Sequence, residues 1–158
     1  MTEQSVGGFT KIVELTPTVE ATPDYATGDL IGGKLEFTGA IRRKFTNTGI
    51  IQSVIITDKA KQSINIDVLF FDTDPSNTTF TENGVLVVHD TDLLNLVGVA
   101  AVTDWKNFSD NSMGQALNLG IPFKIDTNFS LWAAMVTRGA HNLASTSDLT
   151  IRVGILQD

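Results

Sequence analysis

Residues 149–155 read Leu-Thr-Ile-Arg-Val-Gly-Ile, and this stretch gives the clearest indication of the fold. Its four aliphatic side chains alternate with Thr150, Arg152 and Gly154. Because successive side chains of a β-strand point to opposite faces of a sheet, all four aliphatic residues lie on one face. The stretch therefore predicts a half-buried strand whose apolar face packs on a core.

Other segments repeat this alternation or contain the β-branched residues that strands favour. Residues 31–37 alternate, and the Gly32-Gly33 pair within them indicates a bulge or a close approach of two backbones. Residues 50–57 carry β-branched side chains on both faces, which is typical of a central strand. The remaining strand candidates are residues 64–71, 85–89, 97–104, 117–125 (interrupted by Pro122) and 131–138.

Helix signals are sparse, so the sequence predicts an all-β fold. Only residues 90–96 indicate a helix, of one or two turns, because a capping residue precedes leucines spaced three apart. Short strands separated by polar turns predict an antiparallel β-sandwich of about eight strands, with a jelly-roll-like arrangement. We interpret residues 27–158 as a single sandwich domain.

Residues 1–26 differ from the rest and are interpreted as an extended N-terminal arm. Phe9, Val13 and Leu15 form an apolar face with Ile12 on the other side, and two prolines interrupt the stretch further on. The arm either folds back as an edge strand of its own domain or adds as a strand to a neighbouring subunit. We expect these four apolar residues to supply partner contacts.

The composition excludes several classes of function. Among 158 residues there are 18 acidic and 11 basic side chains, a net charge of -7, which argues against nucleic acid as a partner. The chain contains no cysteine, so disulfides, thiolate metal sites and a cysteine nucleophile are excluded. No run of 18 consecutive apolar residues indicates a membrane span.

Residues with catalytic chemistry are few and scattered. We interpret His89 as a strand-end contact and His141 as a solvated loop residue. Aspartates within residues 72–74 and 90–92 fit turn and helix-cap chemistry better than a calcium site. Because the familiar enzyme motifs are missing, we expect no catalytic residue, no metal and no cofactor, and hence no enzyme.

Two alternatives from other classes stay open. A carbohydrate-binding module would hold Trp105 open on a face or loop, whereas Trp132 lies in an apolar stretch and is expected to pack in a core. A hydrolase would bring two carboxylates, or His141 with an acid, together in a pocket.

Four segments carry a resemblance to a known group of proteins: residues 25–34 (YATGDLIGGK), 49–59 (GIIQSVIITDK), 67–81 (DVLFFDTDPSNTTFT) and 145–152 (STSDLTIR). In these segments the chain resembles small β-rich structural proteins of tailed-bacteriophage virions. The resemblance implies a capsid decoration or cement protein, made in the host cytoplasm and located on the capsid surface. It equally admits a neck or tail structural protein.

A decoration role sets expectations about partners. We expect a homo-oligomer, a trimer, that binds the major capsid protein lattice and stabilises the assembled shell by mass action. The basic cluster Arg42, Arg43 and Lys44 is the second set of candidate partner-binding residues, because three cations on an acidic chain suit an acidic patch on another protein. A solvated turn is the alternative for this cluster.

Overall fold

The structure, a computed structural model, describes residues 9–41, 47–125 and 129–157. Within these residues the chain forms nine β-strands and one helix of four residues. In chain order the elements are β1 (Phe9–Leu15), β2 (Leu30–Phe37), β3 (Thr48–Asp58), β4 (Ile66–Phe71), α1 (Asp90–Leu93), β5 (Leu96–Val102), β6 (Asp104–Asn107), β7 (Ser112–Lys124), β8 (Leu131–Thr137) and β9 (Leu149–Gln157). No helix in these ranges has the length and apolar character that crossing a membrane requires.

The strands form two antiparallel sheets that enclose a shared core. The five-stranded sheet has the order β1-β9-β3-β7-β6, and the four-stranded sheet has the order β2-β8-β4-β5. When the short strand β6 is set aside, the remaining eight strands have the order of a jelly roll. The predicted all-β antiparallel sandwich is confirmed. The additional strand arises because residues 97–104, expected as one strand, leave the four-stranded sheet after Val102 and join the other as β6.

The alternation in β9 positions the core as the sequence predicts. Leu149, Ile151, Val153 and Ile155 are fully buried, and Arg152 on the other face is exposed. β3 lies between β9 and β7, so the prediction of a central strand is also confirmed.

The Gly32-Gly33 pair forms both a bulge and a close backbone approach. The register of β2 against β8 shifts between Ile31 and Leu35, and the two glycines have φ angles of +79° and +66°. A Cβ atom on Gly32 would lie 2.5 Å from the Cβ of Pro17, so no larger residue fits there without displacement. Gly32 therefore lets Pro17, in the chain between β1 and β2, lie directly against β2.

The N-terminal segment packs on its own domain in this structure. β1 pairs antiparallel with β9 along its whole length, from Phe9 opposite Gln157 to Leu15 opposite Ile151. Residues 16–29, which we call the strap, follow β1 and bury Val19 and Tyr25. Of the two arrangements expected for this segment, the structure therefore contains the edge strand folded onto its own sheet.

Residues 85–89, expected as a strand, do not form one. A single bridge joins Val85 to Asp29, and the ladder then stops. Leu86 and Val88 pack on a small apolar cluster, and Val85 and Val87 project into solvent. The side chains do alternate between packed and exposed positions, but the segment covers the outer face of a sheet and is not one of its strands.

Two further boundaries differ from the sequence expectation. β7 begins at Ser112 and continues through Pro122. The strand can include the proline because β6 pairs only with Ser112–Gln115, which leaves β7 as an edge strand at Pro122. A missing N–H is tolerated at such an edge. α1 ends at Leu93, and its N-cap is His89, whose Nδ1 accepts a hydrogen bond from the backbone N–H of Thr91.

Candidate functional site

The structure divides the predicted contact residues of β1 between core and solvent. Val13 is only 8% exposed and packs in the core, and Leu15 is half-buried against it. Ile12 is 67% exposed on the opposite face of the strand, and Phe9 is exposed at its start. Ile12 and Phe9 are therefore the two members of this set that a partner could reach. Arg42, Arg43 and Lys44 lie outside the described residues.

Ile12 belongs to an apolar surface that crosses four strands. Its register partner on β9 is Gly154, which lies opposite Ser53 on β3, and Ser53 lies opposite Leu117 on β7. The neighbouring cross-strand row consists of Thr10, Leu156, Ile50 and Pro122. We call the five apolar residues of these two rows the apolar band: Ile12, Ile50, Leu117, Pro122 and Leu156.

The apolar band faces solvent on the outer side of the five-stranded sheet. Ile12 and Leu117 are 67% and 51% exposed, and the band members alternate along their strands with buried core residues. Because neighbouring strands lie about 4.8 Å apart, four strands span roughly 14 Å between their axes. Sequence reasoning missed this surface, because the residues come from four separate segments and only the register brings them together.

A glycine keeps the middle of the apolar band shallow. Gly154 lies between Ile12 and Ser53, and a Cβ atom on it would lie 2.4 Å from Ser53 Oγ. The register also shifts next to Ser53, where β3 carries an extra residue opposite β9. The bulge and the glycine together seat the serine hydroxyl over the glycine backbone.

A charged row borders the apolar band. At the β1 edge of the sheet Arg152 Nε lies 2.5 Å from Glu14 Oε2. At the opposite edge, on β6, Lys106 Nζ lies 2.5 Å from Asp104 Oδ1. Hydrogen bonds from Lys106 and Gln115 hold the pKa of Asp104 below its usual value. An apolar centre beside a polar rim is the general arrangement of protein–protein contact surfaces.

A cavity of about 550 Å³ opens at one end of the apolar band. Ile50, Pro122 and Leu156 belong to both features, and the cavity adds Val97 and Phe123 to the apolar lining. Its polar lining residues are Thr48, Asp72, Lys124 and Gln157. The cavity therefore continues the apolar lining beyond the apolar band.

A second exposed apolar group lies on the other side of the sandwich. Residues 72–89, which we call the cover segment, follow β4 and pack over the outer face of the four-stranded sheet, where Leu30, Phe71 and Ala134 form a small buried cluster. Val85 and Val87 of this segment are 70% and 74% exposed. They provide a matched comparison for residues of the apolar band.

Each of the two histidines has a hydrogen-bond partner near it in the chain. His141 is fully buried, so the interpretation as a solvated loop residue is wrong; the loop folds back under the strap and encloses the ring. Its Nδ1 lies 2.7 Å from Thr137 Oγ1. His89 caps α1 as described above.

The aspartates near α1 support loops. Asp92 accepts hydrogen bonds from the backbone N–H of Asn77 at 3.0 Å and the hydroxyl of Thr78 at 2.6 Å. Burial raises the pKa of Asp92, but the hydrogen bonds from Thr78 and Asn77 together outweigh it, so the pKa is lowered. Asp74 pairs with Lys34 at 2.7 Å. Within the described ranges no three histidine, aspartate or glutamate side chains group closely enough to hold a metal ion.

Neither tryptophan forms an open platform. Trp105 is half-buried against the core, and its ring lies over Gly114, where a Cβ atom would be 2.8 Å from it. Trp132 is half-buried on the outer face of the four-stranded sheet, where Lys34 Nζ lies 4.8 Å from its ring centroid. Trp132 thus packs in the small second cluster, and the main core lies on the other face of β8.

A scan against protein-family models finds no family that matches this chain, and a search of curated proteins finds no match either. The resemblance to phage virion proteins therefore stays a prediction from the sequence.

Proposed function

We propose that this protein is a structural protein of a tailed-bacteriophage virion, a decoration or cement protein that binds the major capsid protein lattice through the apolar band. The observation that carries the proposal is the alignment of five solvent-facing apolar side chains on four adjacent strands, beside a polar rim. Jelly rolls are a recurrent architecture of viral capsid domains, and also of lectin domains. The resemblance of four segments to phage virion proteins favours a virion protein over a lectin.

The physical mechanism is burial of the apolar band against the assembled shell. Covering an isoleucine or leucine side chain fully contributes about 1.5–3 kcal/mol, before the cost of association is subtracted. A homotrimer would repeat this contact three times, and linked contacts bind more tightly than a single one. A ligand that binds only the assembled lattice stabilises it by mass action.

Co-sedimentation with capsids tests the proposal. Shells assembled from the major capsid protein of the same phage are mixed with the purified protein and pelleted, and bound copies are counted. We expect saturable binding by the wild type and a loss of at least tenfold in affinity for Ile12→Glu and Leu117→Glu. Val87→Glu is the matched control, since it places the same charge at a similarly exposed valine on the other side of the sandwich.

Binding to tails or necks in place of capsids would assign the protein to the alternative location. Equal binding by all variants would remove the apolar band from the mechanism. Absence of binding to any virion part, combined with retention on a glycan array, would replace the proposal with the carbohydrate-binding alternative.

A further inference from the structure

The β8–β9 loop (residues 138–148) and the strap hold each other at one end of the sandwich. His141 lies in this loop, and its carbonyl oxygen accepts a hydrogen bond of 2.9 Å from the backbone N–H of Tyr25. Three more backbone hydrogen bonds join the strap to β8 and the loop: Val19 N–H to Thr146 O at 3.0 Å, Gly28 N–H to Thr137 O at 2.9 Å and Thr137 N–H to Asp29 O at 3.0 Å. Within the described residues, four backbone hydrogen bonds therefore hold the strap to β8 and the loop.

The hydrogen bonds around Thr137 fix where the proton of His141 lies. Thr137 Oγ1 donates its single hydrogen to Gly139 O at 2.7 Å and accepts a hydrogen bond from Gly139 N–H at 3.2 Å. The contact of 2.7 Å between Thr137 Oγ1 and His141 Nδ1 must then use a hydrogen on Nδ1. Neutral His141 is consequently unprotonated at Nε2, and this buried atom has no hydrogen-bond partner within the described residues.

The charged groups at this end of the sandwich have hydrogen-bond or ion-pair partners other than the ring of His141. Asp29 accepts from Ala26 N–H, Asp58 from Ala60 and Gln62 N–H, Asp148 from Ala144 and Ser145 N–H, and Arg138 pairs with Asp67. Burial lowers the pKa of His141 to about 4, and the negative charge of Asp58 offsets only part of that effect. Tyr25 directs its hydroxyl to Glu82, away from the histidine.

We propose that His141 is an acid-sensitive latch: a proton added at Nε2 releases the β8–β9 loop and the strap from the end of the sandwich while the two sheets stay folded. A proton on Nε2 would create a buried cation with an unsatisfied donor, which is costly in a protein interior. Opening the loop gives this group to water at the loss of these backbone bonds and of the packing of Val19, Tyr25 and Leu143, while the strands of the two sheets stay paired. The latch does not depend on the proposed virion function.

The direction of the pH effect follows from the difference in the pKa of His141 between the closed and the open form. A histidine that binds protons less readily in the closed form than in the open form keeps the latch closed above about pH 6.5, its ordinary pKa, and loses this stabilisation as the pH falls toward 4. Between pH 8 and pH 5 the opening equilibrium should rise roughly 30-fold. At pH 5 ordinary carboxylates are still mostly ionised. Glu82, which binds the strap through Tyr25, has a raised pKa, and a raised pKa in the closed form favours the closed strap as the pH falls, so a loss of protection reports the histidine.

Hydrogen exchange with mass spectrometry on the full chain tests the latch. Protection factors, corrected for intrinsic exchange, are compared at pH 8 and pH 5. We expect the amides of the strap and the β8–β9 loop to lose about 30-fold in protection, and those of β3 and β9 to change less than threefold. Unchanged protection in the strap, or an equal loss across both sheets, would overturn the proposal.

Two histidine variants separate the latch from general acid effects. His141→Asn keeps a donor near the position of Nδ1 but does not titrate, so its strap protection should not fall between pH 8 and pH 5. His89→Asn is the matched control, because it removes the other histidine and retains a good N-cap residue, and it should open like the wild type. If His141→Asn does not fold, the wild-type and His89→Asn profiles decide, since an acid opening confined to the strap and loop supports the latch and its absence overturns it.

Discussion

The hydroxyl group of Tyr25 donates a hydrogen bond to a carboxylate oxygen of Glu82, and this bond ties the strap to the cover segment across 57 residues of sequence. The same hydroxyl accepts a hydrogen bond of 2.7 Å from Glu20 N–H. Burial raises the pKa of Glu82, and the bond from Tyr25 and the nearby backbone N–H groups of Gly33 and Gly32 counteract only part of that rise. Burial likewise raises the pKa of Tyr25.

Tyr25→Phe should therefore destabilise the protein in a pH-dependent way. We expect the free energy of unfolding at pH 8 to fall by about 1–3 kcal/mol, the usual cost of leaving a buried acceptor unsatisfied. A carboxyl group with a raised folded pKa binds a proton more readily when folded, so stability increases as the pH falls through that pKa. Without the tyrosine hydroxyl the folded pKa of Glu82 rises further. Urea unfolding should therefore show the deficit of the variant shrinking from pH 8 toward pH 5.

Glu82→Gln provides the control for this prediction. In a Glu82→Gln background the difference between tyrosine and phenylalanine at position 25 should no longer depend on pH, because no carboxyl group remains to titrate. A deficit that stays constant with pH in the wild-type background would contradict the role given to Glu82.

The two glycines of the β2 bulge should respond differently to the same substitution. Both have positive φ angles, so alanine at either position carries backbone strain of about 1–3 kcal/mol. A Cβ atom on Gly32 also meets Pro17 at 2.5 Å, whereas one on Gly33 meets nothing within 4 Å. We expect Gly32→Ala to lower the unfolding free energy by at least about 1 kcal/mol more than Gly33→Ala. Thermal unfolding with equal losses in the two variants would show that the strap can move away from β2.

Local patterns were sufficient to predict most of the fold. Alternation identified β9 and the Gly32-Gly33 bulge because each depends on neighbouring residues alone. The same rule failed at residues 85–89, because a period of two also fits an extended segment that covers a sheet face without joining a ladder. The sequence predicts that Pro122 interrupts the strand over residues 117–125, because it does not show that β7 is an edge strand at that point.

Much less of the candidate site can be predicted from the sequence. The sequence predicts all four of Phe9, Ile12, Val13 and Leu15 as contact residues, but the pairing of β1 with β9 turns Val13 into the core. The apolar band depends on the register of four strands, which no single segment encodes. The sequence predicts His141 as a solvated residue because it follows Arg138-Gly139-Ala140 in a loop, whereas its burial results from a strap more than a hundred residues earlier in the chain.

Substitutions on the buried face of β1 should affect stability, whereas those on its exposed face should affect binding. Val13→Ala removes buried methyl groups and should cost about 1–2 kcal/mol of unfolding free energy, whereas Ile12→Ala should change it by less than about 0.5 kcal/mol. Chemical denaturation of the two variants under one condition measures both values. A large loss for Ile12→Ala would mean that its exposed face packs against something within the protein and would remove it from the contact surface.

The oligomeric state distinguishes a lattice contact from a contact between copies. If the apolar band binds the shell, the free homo-oligomer must leave it uncovered, so Ile12→Glu and Leu117→Glu should weaken capsid binding without changing the native mass. Light scattering coupled to gel filtration should then report the mass of three chains for the wild type and for both variants. A fall to the mass of one chain in the variants would assign the apolar band to self-association, because a buried glutamate without a partner is too costly to keep in an interface. The lattice would in that case have to bind another surface, and the exposed valines of the cover segment, Val85 and Val87, would be the next to substitute.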